Sequence, residues 1–159
     1  MEIAIREIGS GDYDVFHALL DAYYRAGEDA DTPQEAVDRF IRLLFDKATA
    51  GAIRGCFAVA DGPVGFALWT LDAEGGDFSE LPGYGTILEI GVGDAHKNRG
   101  IGARLVAHCE AAMRADGAEW AYVCAYGPAQ AFWSGRGYAG TERAAANGLP
   151  IMVKRIGGG

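Results

Sequence analysis

Between Ile87 and Arg104 the chain reads ILEIGVGDAHKNRGIGAR. An apolar run gives way to a glycine-bearing turn, and the turn opens into a helical pattern. The first N–H groups of a helix lack partners within it and carry partial positive charge, so such a corner suits an anion, a phosphate above all. Gly100 and Gly102 let the backbone approach a ligand with no side chain in the way. Lys97, Arg99 and Arg104 place three of the chain's 14 basic residues at this corner. The alternative is a glycine turn whose basic residues only face water.

Spacing excludes other uses of a strand–turn–helix corner. A Walker loop requires GxxxxGK[ST], and the chain contains no Gly-Lys pair. The dinucleotide pattern GxGxxG begins at Gly91-Val92-Gly93 but meets His96 where its third glycine belongs. The hydrolase elbow GxSxG fails at Ser134, two residues after Phe132.

The elements that position this corner follow from composition and periodicity. The chain has 159 residues, 50% apolar and 23% charged, which predicts one folded domain over 1–156 with a loose glycine tail at 157–159. No apolar run reaches the ~20 residues of a membrane helix, and the N-terminus lacks a signal-peptide core, so a soluble, cytoplasmic protein is expected. The net charge of −8 argues against a nucleic-acid backbone binder and favours a cationic small-molecule partner. Cys56, Cys109 and Cys124 sit apart among apolar residues and read as buried thiols. His17, His96 and His108 show no ligand spacing with one another, so no metal is expected. Glycine, at 24 residues, is about twice as frequent as usual.

Met1–Ile8 alternates as a strand. Asp12 can cap a helix bearing Val15, Phe16, Leu19, Leu20 and Tyr23. Thr32-Pro33-Gln34-Glu35 forms a capping box with proline at the first helical position, opening a helix with Val37, Phe40, Ile41, Leu44 and Phe45. GCFAVADGPVGFALWTL is a hairpin around Asp61-Gly62. TILEIGVG is the next strand; a third helix bears Leu105, Cys109, Ala112 and Met113. EWAYVCAY is a strand, GPAQAFWSGRG a short helix, and YAGTERAAA with LPIMVKRI a closing strand pair. The order is mixed α/β, a single domain with helices on both faces of one sheet.

VGDAHKNRGIGARLV resembles the acetyl-CoA signature of the GCN5-related N-acetyltransferases, a Q/R-x-x-G-x-G/A turn opening a helix. Lysine stands at its first position, as Lys97. AQAFWSGRGY resembles that family's A-x-x-x-Y-x-x-x-G-F segment, with Ala129, Gly137 and Tyr138 in register, and IMVKRI its last strand. The likeness covers nearly the whole chain in the right order. It implies a central, mixed, twisted sheet of about six to seven strands flanked by helices.

The resemblance also implies a site. The strand matching Leu88–Val92 would part from the strand matching Trp120–Tyr126, with the pantetheine arm of acetyl-CoA in the gap. Backbone near Ile90, Gly91 and Val92 would bond the arm. Lys97, Asn98, Arg99, Gly100, Ile101, Gly102, Ala103 and Arg104 would form the pyrophosphate corner, with Arg99–Ala103 as its cradle. Glu89 is the candidate general base for a primary amine. Strict alternation places it opposite Leu88, Ile90 and Val92, so a bulge or a side-on substrate is expected. Thr86 stands where some members carry a glutamate. Trp133 occupies the position of the family's tyrosine acid, and indole cannot serve. Tyr126 is the nearest replacement. Tyr23, Tyr24, Glu28, Asp29 and Asp31 would meet the acceptor, by charge and by cation–π contact.

The function expected is direct acetyl transfer from acetyl-CoA to a primary amine of a small molecule, peptide or protein. No nucleic-acid or membrane partner is expected, and a homodimer is left open. The rivals are a catalytically impaired CoA-binding sensor or scaffold, and transfer of a longer acyl group.

Overall fold

The computed structural model describes residues 2–27, 29–76 and 79–158. Seven strands and four α-helices follow one another in the order β1, α1, α2, β2, β3, β4, α3, β5, α4, β6, β7. The strands are β1 (Ala4–Glu7), β2 (Arg54–Ala60), β3 (Gly62–Leu71), β4 (Gly85–Val92), β5 (Trp120–Cys124), β6 (Ala139–Ala144) and β7 (Pro150–Arg155). The helices are α1 (Tyr13–Ala26), α2 (Gln34–Thr49), α3 (Ile101–Ala115) and α4 (Gln130–Gly135). The sheet order is β1-β2-β3-β4-β5-β7-β6. β1–β2, β5–β7 and β6–β7 are antiparallel and β4–β5 is parallel, so the sheet is mixed as expected.

Two compact units divide the chain, one from Met1–Leu68 and Glu89–Leu105, the other from Trp69–Leu88 and Val106–Gly159. In the first, α1 buries Phe16, Leu20 and Tyr24, one residue per helical turn, and α2 buries Val37, Ile41, Leu44 and Phe45. The rings of Phe16 and Phe45 meet at 5.3 Å between centroids. Polar pairs close the outer side of these helices: His17 Nε2 lies 2.8 Å from Asp38 Oδ1, and Gln34 Nε2 donates to Asp21 and Asp38. The Asp61-Gly62 turn joins β2 to β3, with Gly62 at φ +98°.

Both predicted caps are corrected. Asp12 occupies the N-cap of α1 but bonds outward, accepting from Gly9 N and Arg6, and that guanidinium holds its carboxyl below the usual range. The second helix starts at Gln34 with Pro33 as its cap, and Thr32 Oγ1 donates to Asp29 instead. In each case a stronger or nearer partner wins the side chain that the helix end would have used.

The second unit is held by two buried carboxylates. Glu110 on α3, 7% exposed, accepts from Tyr138 (2.9 Å) and Lys154 (3.0 Å). Asp72, 4% exposed, accepts from the N–H groups of Glu80 and Leu81 and from the Tyr122 hydroxyl, at 2.7–2.8 Å. Cys56 and Cys109 are buried and Cys124 is only half-buried. Gly157 and Gly158, in the segment read as a loose tail, accept hydrogen bonds from Arg155, and Gly157 N–H reaches Glu119. Among the described residues no helix is long and apolar enough to cross a membrane.

Asp72→Ala orphans one buried hydroxyl and two backbone donors, and should cost at least about 2 kcal/mol. Tyr122→Phe removes one donor and keeps the ring, and should cost about half as much. Urea midpoints of the two variants against the parent check that ranking.

Candidate active site

β4 sorts the groups that lead into the glycine corner. Gly93 N–H donates to the Val64 carbonyl on β3 at 2.8 Å. Backbone polar groups of successive strand residues point to opposite sides. Gly91 therefore also turns its own toward β3. Gly65 agrees, because a Cβ there would stand 2.9 Å from the Gly91 carbonyl oxygen. Val92, between them, turns its N–H and C=O groups away from β3. The β4–β5 register pairs Gly85 with Ala121 and Thr86 with Tyr122, and β4 continues past it to Val92. Ile90, Gly91 and Val92, the residues expected to bond a pantetheine arm, lie on this last stretch of β4.

After Gly93 come a 3₁₀ turn, Asp94–His96, and then the start of α3 at Ile101. Two left-handed residues make the corner, Asn98 at φ +63° and Gly100 at φ +79°. A Cβ on Gly100 would meet nothing within 4 Å, so its φ is what calls for glycine, and open space lies beside it. Arg104 N–H donates to the Gly100 carbonyl at 3.1 Å, closing the first turn of α3. The N–H groups of Ile101, Gly102 and Ala103 precede that closure and have no partner within the helix. Arg99 and Arg104 are exposed, while the Ile101 side chain lies in the core. Lys97 pairs with Asp94 at 2.8 Å, which holds the Asp94 carboxyl below its usual range.

Near Gly91 the side chains of β4 follow the complementary rule. A Cβ on Gly91 would stand 2.6 Å from the Phe66 ring and 2.9 Å from the Tyr23 ring, so only glycine admits those rings there. Tyr23 and Phe66 meet edge to face at 5.5 Å. Glu89, two residues before Gly91, shares its face. The Glu89 charge reaches the Tyr24 hydroxyl, which puts Glu89 on the side of the α1 tyrosines. Gly85, six residues before Gly91, faces Met113 of α3 instead, so alternation is broken along β4 in the way a bulge breaks it.

Tyr24 is placed differently from its expected role. It is 6% exposed, its ring packed on Tyr23 (5.3 Å) and Phe40 (5.8 Å), so its face cannot hold a cation. What it offers is its hydroxyl, shut from solvent and without a hydrogen bond of full geometry. Burial first, and then the neighbouring Glu89 carboxylate, raise its ionisation far above the usual tyrosine range; the Tyr23 and Asp29 charges add to this. A hydrogen bond to the Glu89 carboxylate is among the causes of that rise, so Glu89 lies close to the hydroxyl.

Among the loop acids, Asp29 is half-buried and Asp31 exposed; Glu28 lies outside the described residues. Arg25 Nη1 donates to the carbonyls of Ala30 and Thr32, at 3.2 and 2.6 Å, fixing the loop to α1. Tyr126, 40% exposed, belongs to the second unit. Trp133 is buried against Phe132 and Tyr138. His17, Asp21 and Asp38 bring three potential metal-ligand atoms within 4.8 Å of one another, a group the sequence reading missed because it compared histidines only with each other. The i,i+4 spacing of His17 and Asp21 was the available signal.

Comparison with known proteins places this geometry in context. No curated protein sequence matches the chain. Among solved structures, an acetyltransferase from Thermus thermophilus is 18% identical with a TM-score of 0.76, covering 98% of this chain and 97% of its own. A PaiA N-acetyltransferase from Thermoplasma acidophilum, in complex with coenzyme A, is 16% identical with a TM-score of 0.74, covering 98% and 99%. AAC(6')-Iy, in complex with the bisubstrate analog CoA-S-monomethyl-acetylneamine, is 16% identical with a TM-score of 0.68, covering 91% and 96%. These likenesses show a common fold. A family model described as "Acetyltransferase (GNAT) family" matches residues 13–138, most of the 159-residue length, and the chain belongs to that family.

Proposed function

We propose that the protein is an acetyl-CoA-dependent N-acetyltransferase acting on a primary amine that is protonated in solution. One observation carries this reading. A single run of chain carries Glu89 beside the buried Tyr24 hydroxyl of α1, turns the Val92 backbone away from β3, and ends in the open left-handed corner before α3. Cosubstrate, base and acceptor thereby have separate sides of one strand.

Acetyl-CoA fits the residues present. Its pyrophosphate would lie at the N–H groups of Ile101, Gly102 and Ala103, with Arg99 and Arg104 nearby. Its pantetheine amides would pair with Ile90 and Val92 as a further strand would. That similar structures are complexes with coenzyme A or a CoA bisubstrate analog supports coenzyme A as the ligand.

An alkylammonium must lose a proton before it can attack, since at pH 7 only about one in a few thousand is neutral. Glu89 accepts that proton, directly or through water. The amine nitrogen then bonds to the thioester carbonyl carbon, the C–S bond breaks, and the thiolate takes up a proton. Tyr126 is the candidate donor for that step, since Trp133 has no acidic proton to give. No serine or cysteine carries the acetyl group in this scheme.

Substrate-dependent release of thiol from acetyl-CoA across a panel of amines tests the reading. Coenzyme A binding with no release for any amine would leave a CoA-binding sensor. Gly102→Glu adds bulk and negative charge at the helix start and should abolish acetyl-CoA binding in calorimetry while the protein stays folded. Glu89→Gln should lower kcat by roughly 10²–10⁴-fold with acetyl-CoA affinity nearly unchanged. A Glu89→Gln rate within twofold of the parent at pH 7 removes Glu89 from the chemistry. Replacing Glu28, Asp29 and Asp31 together with Gln and Asn should raise KM for the amine and flatten its salt dependence, with KM for acetyl-CoA constant.

A further inference from the structure

Two helices each present a pair of polar side chains four residues apart: His17 and Asp21 on α1, Gln34 and Asp38 on α2. Residues at that spacing share a helix face, and here the two faces meet. One nitrogen, Gln34 Nε2, donates to Asp21 Oδ1 at 2.7 Å and to Asp38 Oδ1 at 2.8 Å. His17 Nε2 lies 2.8 Å from that same Asp38 oxygen. An imidazole nitrogen and two carboxylate oxygens, from three half-buried side chains, thus stand within 4.8 Å of one another. Ligand atoms of a tetrahedral zinc ion lie ~2.0–2.2 Å from the metal, hence roughly 3.4 Å apart, so these three need only a small adjustment. The backbone beneath them is held, because Tyr13 and Phe16 of α1 pack on Phe45 of α2 at 5.2 and 5.3 Å between ring centroids. Ligands carried on packed helices keep their geometry better than ligands on loops.

Charge points the same way. Asp21 and Asp38 face each other across a neutral amide, where a cation would interact more strongly. Arg25 does not fill that place: its Nε is 3.9 Å from Asp21 Oδ1, beyond hydrogen-bond length, and its Nη1 donates to the Ala30 and Thr32 carbonyls.

We propose that His17, Asp21 and Asp38 form a zinc site that clasps α1 to α2. Zinc accepts imidazole and carboxylate together in a four-coordinate shell, whereas magnesium and calcium call for oxygen ligands throughout. Gln34 yields its place on entry of the metal: turned over, the amide offers Oε1 as the fourth ligand, and swung aside it leaves that position to water. No part of this rests on the acetyltransfer reading.

The test titrates zinc chloride by calorimetry into the full chain, with thermal unfolding followed alongside. The parent should take up one equivalent at micromolar concentration and unfold at higher temperature when loaded, since the metal binds only the folded helix pair. His17→Ala and Asp38→Asn should each weaken zinc at least about tenfold and lose the thermal shift. His96→Ala, outside the cluster, should bind as the parent does. Should His17→Ala fail to fold, Asp21→Asn takes its place. Absence of binding by the parent below millimolar zinc overturns the proposal. So does parent-like binding by folded His17→Ala and Asp38→Asn proteins, which would put the metal on the thiols or another histidine.

Discussion

The hydrogen bond from Gly93 N–H to the Val64 carbonyl, at 2.8 Å, sets the phase of the last residues of β4. A strand has two alternations, of backbone polar groups in the sheet plane and of side chains above and below it. With Gly93 facing β3, Gly91 does the same, Val92 is left with its peptide groups directed away, and Gly91 is left on the α1 face. A slip of one residue would exchange all of these assignments at once. It would also bring Ile90 or Val92 side chains to the place where Gly91 now admits two rings.

Gly91 makes the consequence steric as well as topological. Its missing Cβ lets Tyr23 and Phe66 settle onto β4, and Tyr24 follows Tyr23 on the same helix. The Glu89 carboxylate is thereby set into partly dry surroundings beside a neutral phenol. A carboxylate there is stabilised by whatever N–H or O–H donors approach it, and each is stronger than it would be in water. The same dryness makes the phenol a poor acid, since its anion would be buried beside negative charge. Tyr24 is therefore a poor proton donor to any group beside it.

The order of elements was legible in the sequence because each carries a strong periodic or turn signal: the Asp61-Gly62 hairpin, the stripes of α1 and α2, and the glycine corner before α3. Cap chemistry was not. Asp12 and Thr32 sit where helix caps belong, yet Arg6, Gly9 and Asp29 compete for them from outside the helix, and nothing local shows which partner wins. The corner's left-handed turn was legible from its glycines. The direction of Glu89 was not, because alternation is broken along β4 and what covers its face depends on how α1 crosses the strand. Tyr24 escaped for the same reason, because adjacent tyrosines on a helix point about 100° apart and sequence does not say which is buried.

Charge explains why the corner must be built from backbone as much as from side chains. In the proposed reading coenzyme A, a polyanion, would approach a protein of net charge −8, so the summed field would oppose it at long range. Lys97 cannot fully answer that field, since Asp94 at 2.8 Å already neutralises much of its charge. The attraction has to be local: Arg99 and Arg104 as exposed cations, and the opening N–H groups of α3, whose partial charges do not depend on a partner ion. Backbone donors also remain effective within contact distance when salt screens the surroundings. The same acidic surplus that would hinder a polyanion would favour a cation, which is the charge expected of the proposed acceptor.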